Sequence, residues 1–264
     1  MSDVVTFERK GHVALITLNR PEARNAISPE MLVRLADTWT AVRDDPDIRV
    51  AVVTGAGDKA FCSGADLGRF IPLMSRARPP EDEWDRRLLA DGEMLGRGLL
   101  RTFDVVKPVI AAINGHAIAG GMELAQGTDL RVASESAKFG VQEVKWAIFP
   151  GGGSTVRLPR QIPYARAMEL LLTGDLITAA EALELGFLNR VVPQADVLPT
   201  ALDLAERIAA NGPIAVQAIR RSARACLGRP EAEAMQIESE MAGPVFRTED
   251  AREGPLAFMQ KRKP

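Results

Sequence analysis

Apolar and polar positions alternate at strand spacing near the start of the chain. Two β-rich runs, 4–10 and 12–18, meet at Lys10-Gly11 and predict a hairpin. Ser28 followed by Pro29 predicts a helix start, with serine as the N-cap and proline at the first helical position. The buried face of that helix is predicted from apolar residues at helical spacing: Leu32, Leu35, Trp39 and Val42.

Further along, the pattern changes from mixed to helical. Apolar runs predict strands at 49–54, 108–113 and 129–133. The proline-containing stretch 71–83 predicts an exposed, mobile loop that leads into a helix near Trp84, whose apolar face continues through Leu88, Leu95 and Leu99. After about residue 160 the pattern predicts helices almost throughout, one of which starts at a capping box formed by Thr178 and Glu181. We therefore predict an α/β protein with a mixed core, residues 1–195, and a helical C-terminal region, residues 196–264.

Composition limits the classes of partner. The chain has 264 residues, of which 46% are hydrophobic, enough for one large domain. A net charge of −2 provides no overall field for nucleic acid or an anionic membrane, so we expect neither as a partner. The first residues lack a signal-peptide layout, and two cysteines and two histidines suggest neither a disulfide framework nor a metal site. We expect a cytoplasmic protein.

Two glutamates carry the chemical signal, because each follows a glycine-containing turn. Glu123 lies in IAGGMELA (118–125) and Glu143 in KFGVQEVK (138–145), while FCSGADL (61–67) offers another backbone turn. Two carboxylates can add water across a double bond, and backbone N–H groups can hold a developing enolate oxygen. From the residues alone, Glu123 could also be an exposed acid at a helix start, and Glu143 could pair with Lys138 or Lys145.

These three segments resemble the enoyl-CoA hydratase/isomerase (crotonase) superfamily. The resemblance continues in the family's order through 19–27, 107–121, 149–158, 171–192 and 249–263, which is essentially the whole chain. It implies a crotonase-like spiral of ββα units, with C-terminal helices that form a homotrimer or a dimer of trimers. It also implies an acyl-CoA thioester substrate and no separate cofactor or metal, since coenzyme A enters as part of the substrate.

The resemblance also implies roles for individual residues. Glu123 would activate water, Glu143 would donate the α-proton, and the N–H groups of Ser63 and Gly120 would form the oxyanion hole. Two bulky residues, Trp146 and Phe149, would line the acyl pocket; Trp146-Ala147 stands where relatives commonly have Leu-Gly. The residues expected to contact substrate or coenzyme A are Arg24, Ala65, Asp66, Leu67, Gly151, Phe258 and Lys261.

The function implied is a 2-enoyl-CoA hydratase, which reversibly adds water in a syn sense to give a 3-hydroxyacyl-CoA. Alternatives are an enoyl-CoA isomerase, which can work with one carboxylate, or another acyl-CoA lyase of the family. RNA binding is disfavoured, because no lysine-rich helix is found. Two glycine-containing segments resemble nucleotide-binding motifs but do not match them. The segment 151–155 lacks the lysine of a P-loop, and the segment 55–60 does not lead into the βαβ unit of a dinucleotide-binding fold.

Overall fold

The computed structural model describes residues 3–262 and arranges them in strands and helices. The strands are β1 (Val5–Lys10), β2 (Val13–Leu18), β3 (Val50–Gly55), β4 (Ala60–Cys62), β5 (Val109–Ile113), β6 (His116–Ile118), β7 (Leu130–Ser134), β8 (Lys138–Gly140), β9 (Ile177–Thr178) and β10 (Arg190–Val192). The first helices are α1 (Pro29–Asp44), α2 (Phe70–Met74), α3 (Glu83–Ala90), α4 (Met94–Gly98), α5 (Gly120–Gly127) and α6 (Ser154–Gln161). The later helices are α7 (Tyr164–Thr173), α8 (Ala179–Glu184), α9 (Val197–Ala209), α10 (Pro213–Cys226), α11 (Glu231–Val245) and α12 (Asp250–Met259).

Two sheets organise the core. The larger sheet has the order β1-β2-β3-β5-β7-β10, antiparallel at β1-β2 and parallel elsewhere. The smaller sheet has the order β4-β6-β8-β9 and is parallel except at β8-β9. The consecutive pairs β3/β4, β5/β6 and β7/β8 each place one strand in each sheet. This repeated two-strand step is what a spiral of ββα units requires.

Local sequence signals account for several element boundaries. Gly11 turns the β1-β2 hairpin with a φ of +60°, and the Ser28 hydroxyl accepts the N–H of Met31 at 3.2 Å to cap α1. The four apolar residues predicted on the buried face of α1 are fully buried. A capping box between Thr178 and Glu181 starts α8. These predictions are confirmed because each depends on neighbours only a few residues away.

The stretch predicted to be a mobile loop is more ordered than its prolines suggested. Its first residues belong to α2, where Phe70 and Leu73 are buried. Asp82 caps α3 through the N–H of Asp85, so a helix does begin next to Trp84. That helix ends at Ala90 and α4 starts separately at Met94, so the single long helix expected from the leucine spacing is wrong.

The C-terminal region contributes both to the core and to the surface. Helix α9 covers one face of the larger sheet, where alanines such as Ala201 and Ala205 pack against the strands. Helices α10 and α11 pack on each other, and the region from α10 to α12 leaves large apolar side chains exposed, among them Ile219, Phe246 and Phe258. The short strands β9 and β10 correct the expectation of an almost entirely helical second half. The division at residues 195 and 196 stays a prediction.

Within the described residues, none of the helices has both the length and the apolar character needed to cross a bilayer.

Candidate active site

A cavity of about 280 Å³ lies where the ends of the smaller sheet meet α2 and α4. Both predicted glutamates, Glu123 and Glu143, line it. Its other walls come from the FCSGADL turn (61–67), the segment 146–149 and the Gly151-Gly152 loop. Segments that are far apart in the chain therefore converge on one concave site, which is the arrangement of an enzyme pocket.

Glu123 is held on α5 by a sharp turn out of β6. Ala119, the residue before the helix, has a φ of +52°, which costs a non-glycine residue about 1–3 kcal/mol. A Cβ on Gly121 would lie 2.2 Å from the carbonyl oxygen of Cys62, so only glycine allows α5 to approach β4 this closely. The turn therefore places the first turn of α5, with Glu123 on it, directly at the cavity.

The carboxylate of Glu123 is only 3% exposed, so the exposed-acid alternative is wrong. The backbone N–H of Ser154, at the start of α6, donates to its Oε1 at 3.2 Å. Burial raises the pKa of Glu123, while the hydrogen bond from the Ser154 N–H opposes that rise. Gly152 keeps the approach open, because a Cβ there would lie 2.4 Å from Oε2 of Glu123.

Glu143 opens a 3-10 turn, Glu143–Trp146, that follows β8. Its Oε2 is buried and has no hydrogen-bond partner in the described part of the chain. Burial first, and then the negative charge of Glu123, raise the pKa of Glu143 to about 7. Lys145 pairs instead with Asp175 at 3.0 Å, so the alternative in which Lys145 neutralises Glu143 is wrong. Two acids with different environments thus share one cavity.

The oxyanion pair differs from the predicted one. The backbone N–H of Ser63 donates to the carbonyl of Arg24 at 3.1 Å, so it is already engaged and the prediction for Ser63 is wrong. The backbone N of Ala65 lies 3.7 Å from the position that a Cβ on Gly120 would take, and no described residue accepts its N–H. Gly120 is the first residue of α5 and has no acceptor one turn earlier. The free pair of donors at the cavity is therefore Ala65 and Gly120.

The other predicted contact residues fall into two groups. Leu67 and Gly151 line the cavity, whereas Arg24 lies beside Lys59 in a separate pocket of about 230 Å³. The carboxylate of Asp66 is used internally, because it accepts the N–H groups of Gly68 and Arg69 at 3.0 Å and pairs with Arg20 at 3.0 Å. Asp66 therefore orders the turn that presents the Ala65 amide.

Four further predicted residues are exposed to solvent. Trp146 and Phe149 line the cavity but are 64% and 72% exposed, so they stand at its mouth rather than in its interior. Phe258 and Lys261 are exposed on and just after α12 and do not line this cavity. Their predicted contact with substrate or coenzyme A stays a prediction.

Two supporting residues were missed by the sequence reasoning. The N–H of Ser154 donates to the carboxylate of Glu123, and Gly152 leaves room for that carboxylate. Both residues lie in the segment 151–155, which was rejected above as a phosphate-binding loop. A glycine run leading into a helix start was the available signal, since such a start offers free N–H groups to a carboxylate. Among the described residues, no cluster of potential ligands could hold a metal ion.

Two acids and a pair of free N–H donors around one cavity can polarise a carbonyl group while protons move on and off adjacent carbons. A sequence model described as enoyl-CoA hydratase/isomerase matches residues 8–264. The chain belongs to this family. The predicted α/β, crotonase-like fold is confirmed with it, since the structural neighbours are enoyl-CoA hydratases of that fold.

Named relatives of the family match the chain over nearly its full length. The enoyl-CoA hydratase EchA19 of Mycobacterium tuberculosis is 50% identical over 97% of this chain and 94% of its own. The (E)-benzylidenesuccinyl-CoA hydratase of Thauera aromatica is 44% identical over 98% of this chain and 97% of its own. Among solved structures, the enoyl-CoA hydratase EchA1 of Mycobacterium marinum superposes with a TM-score of 0.89 at 37% identity, covering 100% of this chain and 98% of its own.

Proposed function

We propose that this protein is an enoyl-CoA hydratase, a lyase that reversibly adds water to a 2-enoyl-CoA thioester. The observation that carries the proposal is the unequal environment of the two acids in one cavity. Oε1 of Glu123 accepts the backbone N–H of Ser154, whereas Oε2 of Glu143 has no hydrogen-bond partner among the described residues, and burial together with the charge of Glu123 raises the pKa of Glu143 to about 7. Hydration needs one group of each kind, a base for the water and an acid for the carbon.

The protonation states of Glu123 and Glu143 determine which proton each of them transfers. Glu123, ionised, removes a proton from water as the oxygen bonds to the β-carbon. The electron pair of the double bond moves toward the thioester, whose oxygen gains negative charge and is held by the N–H groups of Ala65 and Gly120. Glu143, protonated, then gives its proton to the α-carbon. One proton moves from Glu123 to Glu143 before the next turnover.

The test is a spectrophotometric panel of 2-enoyl-CoA esters of rising chain length. Hydration removes the conjugated thioester absorbance, and we expect turnover of at least part of the panel. A 3-enoyl-CoA ester serves as the comparison, because an isomerase would convert it into the conjugated ester and increase the absorbance. Isomerisation without hydration would replace the hydratase proposal by the isomerase alternative.

The exposed apolar surface of α10–α12 supports an oligomer as part of the same proposal. Phe246 is 78% exposed, Phe258 85% and Met259 73%, which is costly for an isolated chain in water. We assign this surface to contacts between copies of the chain in a homotrimer or a dimer of trimers. Light scattering coupled to size-exclusion chromatography measures the mass, and a stable monomer would contradict the assignment.

A cytoplasmic role in fatty acid and lipid metabolism completes the proposal.

A further inference from the structure

Arg78, in the stretch after α2, forms a largely buried ion pair with Asp85 on α3. Arg78 contacts both carboxylate oxygens of Asp85, with Nη2 donating to Oδ1 at 2.9 Å. Asp85 is fully buried and also accepts the N–H of Glu81 at 2.9 Å. The hydrogen bonds from Arg78 lower the pKa of Asp85 to about 2, so the pair stays charged across the physiological pH range.

The same guanidinium group reaches the start of α2. Nε and Nη2 of Arg78 donate to the backbone carbonyl of Arg69 at 3.0 and 2.8 Å. The side chain of Arg69 contacts Glu81 at 2.8 Å and Asp82 at 2.6 Å, and its Nη2 lies 3.9 Å from Oδ2 of Asp85. The beginning of α2 is therefore tied to the beginning of α3 both through Arg78 and through the side chain of Arg69.

Helix α2 is a wall of the cavity and has little apolar anchoring of its own. It is five residues long, and Phe70 and Leu73 are its buried side chains. Phe70, Ile71 and Met74 line the cavity, and Met74 is 45% exposed. A helix this short is marginal in water by itself, so its position depends on what holds its ends.

Stability alone gives a weak reason for burying these charges. Replacing both members of a buried ion pair with apolar residues of similar volume is often neutral or stabilising. Neither Arg78 nor Asp85 lines the cavity, so neither touches the substrate. What the pair does change is the freedom of α2 to move away from the cavity.

We propose that Arg78 and Asp85 are positioning residues that pin the α2 wall and so restrict the enzyme to compact acyl groups. The inference rests on the proposed function, because it names the substrate class of that same site. The pinned wall bounds a cavity of about 280 Å³, and under this proposal a long acyl chain enters it only when α2 shifts outward. Unpinning α2 therefore admits long chains and leaves the reacting end of the substrate unchanged.

The experiment compares the wild type with the double variant Arg78→Met/Asp85→Leu, which leaves no unpaired buried charge. We measure kcat and KM for a four-carbon and a ten-carbon 2-enoyl-CoA. The ratio of kcat/KM, ten-carbon over four-carbon, should rise at least about tenfold through a lower KM for the long ester. The kcat for the four-carbon ester and its pH profile should stay as in the wild type, which a general loss of structure would not allow.

The matched control is Arg87→Met/Asp37→Leu. That pair also starts on α3, at 2.9 Å, but it is about half exposed and connects to α1 rather than to α2. The control should leave the chain-length ratio unchanged. An equal rise in the control, or an unchanged ratio in the Arg78/Asp85 variant, overturns the proposal.

Two further measurements keep the outcome clear. If circular dichroism shows that the double variant does not fold, the variant Arg78→Lys is measured instead. Lysine keeps the charge but cannot contact Asp85 and the Arg69 carbonyl together, so the chain-length ratio should rise by a smaller factor. If no ester is hydrated by any of the proteins, the hydratase proposal fails. The wall is then tested through the affinities of saturated four- and ten-carbon acyl-CoA, whose ratio should shift in the same direction, and an unchanged ratio overturns it.

Discussion

The two acidic walls of the cavity are built from the same residue type in opposite ways. The Glu123 wall is a regular helix, α5, whose residues are all buried, and its carboxylate accepts the Ser154 N–H. The Glu143 wall is a single 3-10 turn in which Val144 and Trp146 are exposed, and Oε2 of its carboxylate has no hydrogen-bond partner within residues 3–262. The Glu123 wall is therefore packed inside the protein, whereas the Glu143 wall is a surface turn.

This difference separates the protonation states of the two acids. A backbone donor stabilises the charged form of Glu123, and that charge then disfavours ionisation of Glu143. Because the charge of Glu123 raises the pKa of Glu143, the two carboxyl groups titrate as a coupled pair. The two environments support the proposed roles of Glu123 as the base and Glu143 as the acid, and this division of roles stays a prediction.

The largest expected effect comes from replacing either cavity glutamate with the uncharged glutamine. Glu123→Gln and Glu143→Gln should each lower hydration of an enoyl-CoA by about a hundredfold or more, because each removes a general acid–base group. Steady-state kinetics with the best ester of the panel measures the change, and circular dichroism checks the fold. Near wild-type hydration in either variant would remove that residue from the mechanism.

The second prediction tests how tightly the Glu123 wall is fitted. Gly152→Ala should lower kcat by about a hundredfold, since its Cβ would lie 2.4 Å from Oε2 of Glu123 and must displace that carboxylate. The control is Gly151→Ala at the neighbouring position, whose Cβ would meet no atom closer than 4.0 Å. We expect the control to change kcat by no more than about twofold. Equal losses in both variants would mean that loop distortion, not contact with Glu123, causes the effect.

The third prediction concerns pH. Hydration needs Glu143 protonated, and its pKa is about 7, so kcat/KM for hydration should fall as the pH rises above 7, approaching tenfold per pH unit. Dehydration of a 3-hydroxyacyl-CoA should show the same decline in kcat/KM, because the overall reaction takes up no net proton and the ratio of the two kcat/KM values, the equilibrium constant, does not depend on pH. In Glu143→Gln the residual hydration should lose the alkaline decline. A decline that survives this substitution would belong to another group.

The smallest effect is expected at the mouth of the Glu143 wall. Trp146→Leu should raise kcat/KM for long enoyl-CoA esters by about threefold and leave the four-carbon ester nearly unchanged. The gain is modest because the indole is 64% exposed and can move aside into solvent. The same chain-length panel measures it, with Val144→Ala on the same turn as the control, since Val144 does not line the cavity. An identical profile in wild type and Trp146→Leu would show that the ring faces away from the acyl chain.

Several features could be predicted from short stretches of sequence. The α1 start at Ser28-Pro29 and the α8 capping box each depend on residues within a few positions. The apolar neighbours of Glu123 in the sequence, Met122, Leu124 and Ala125, indicate a buried segment, and all residues of α5 are buried. Within the segment 71–83, residues 75–82 are irregular and mostly exposed as predicted, whereas helix α2 over the first residues was not predicted. The contacts of this segment with residues beyond the window, such as Asp85, could not be read from its prolines and charges.

By itself, the sequence determined the candidate glutamates, the family and the alternation of strands and helices, because these depend on motif order and local spacing. Only the tertiary structure decided which backbone N–H groups are free. The Ser63 N–H is taken by the carbonyl of Arg24, and the Ala65 N–H is left facing Gly120. The tertiary structure also decided that Oε2 of Glu143 lacks a hydrogen-bond partner in the described part of the chain while Oε1 of Glu123 has one. A hydrogen bond or a desolvated charge depends on what packs beside a group in space, and those neighbours come from distant parts of the chain.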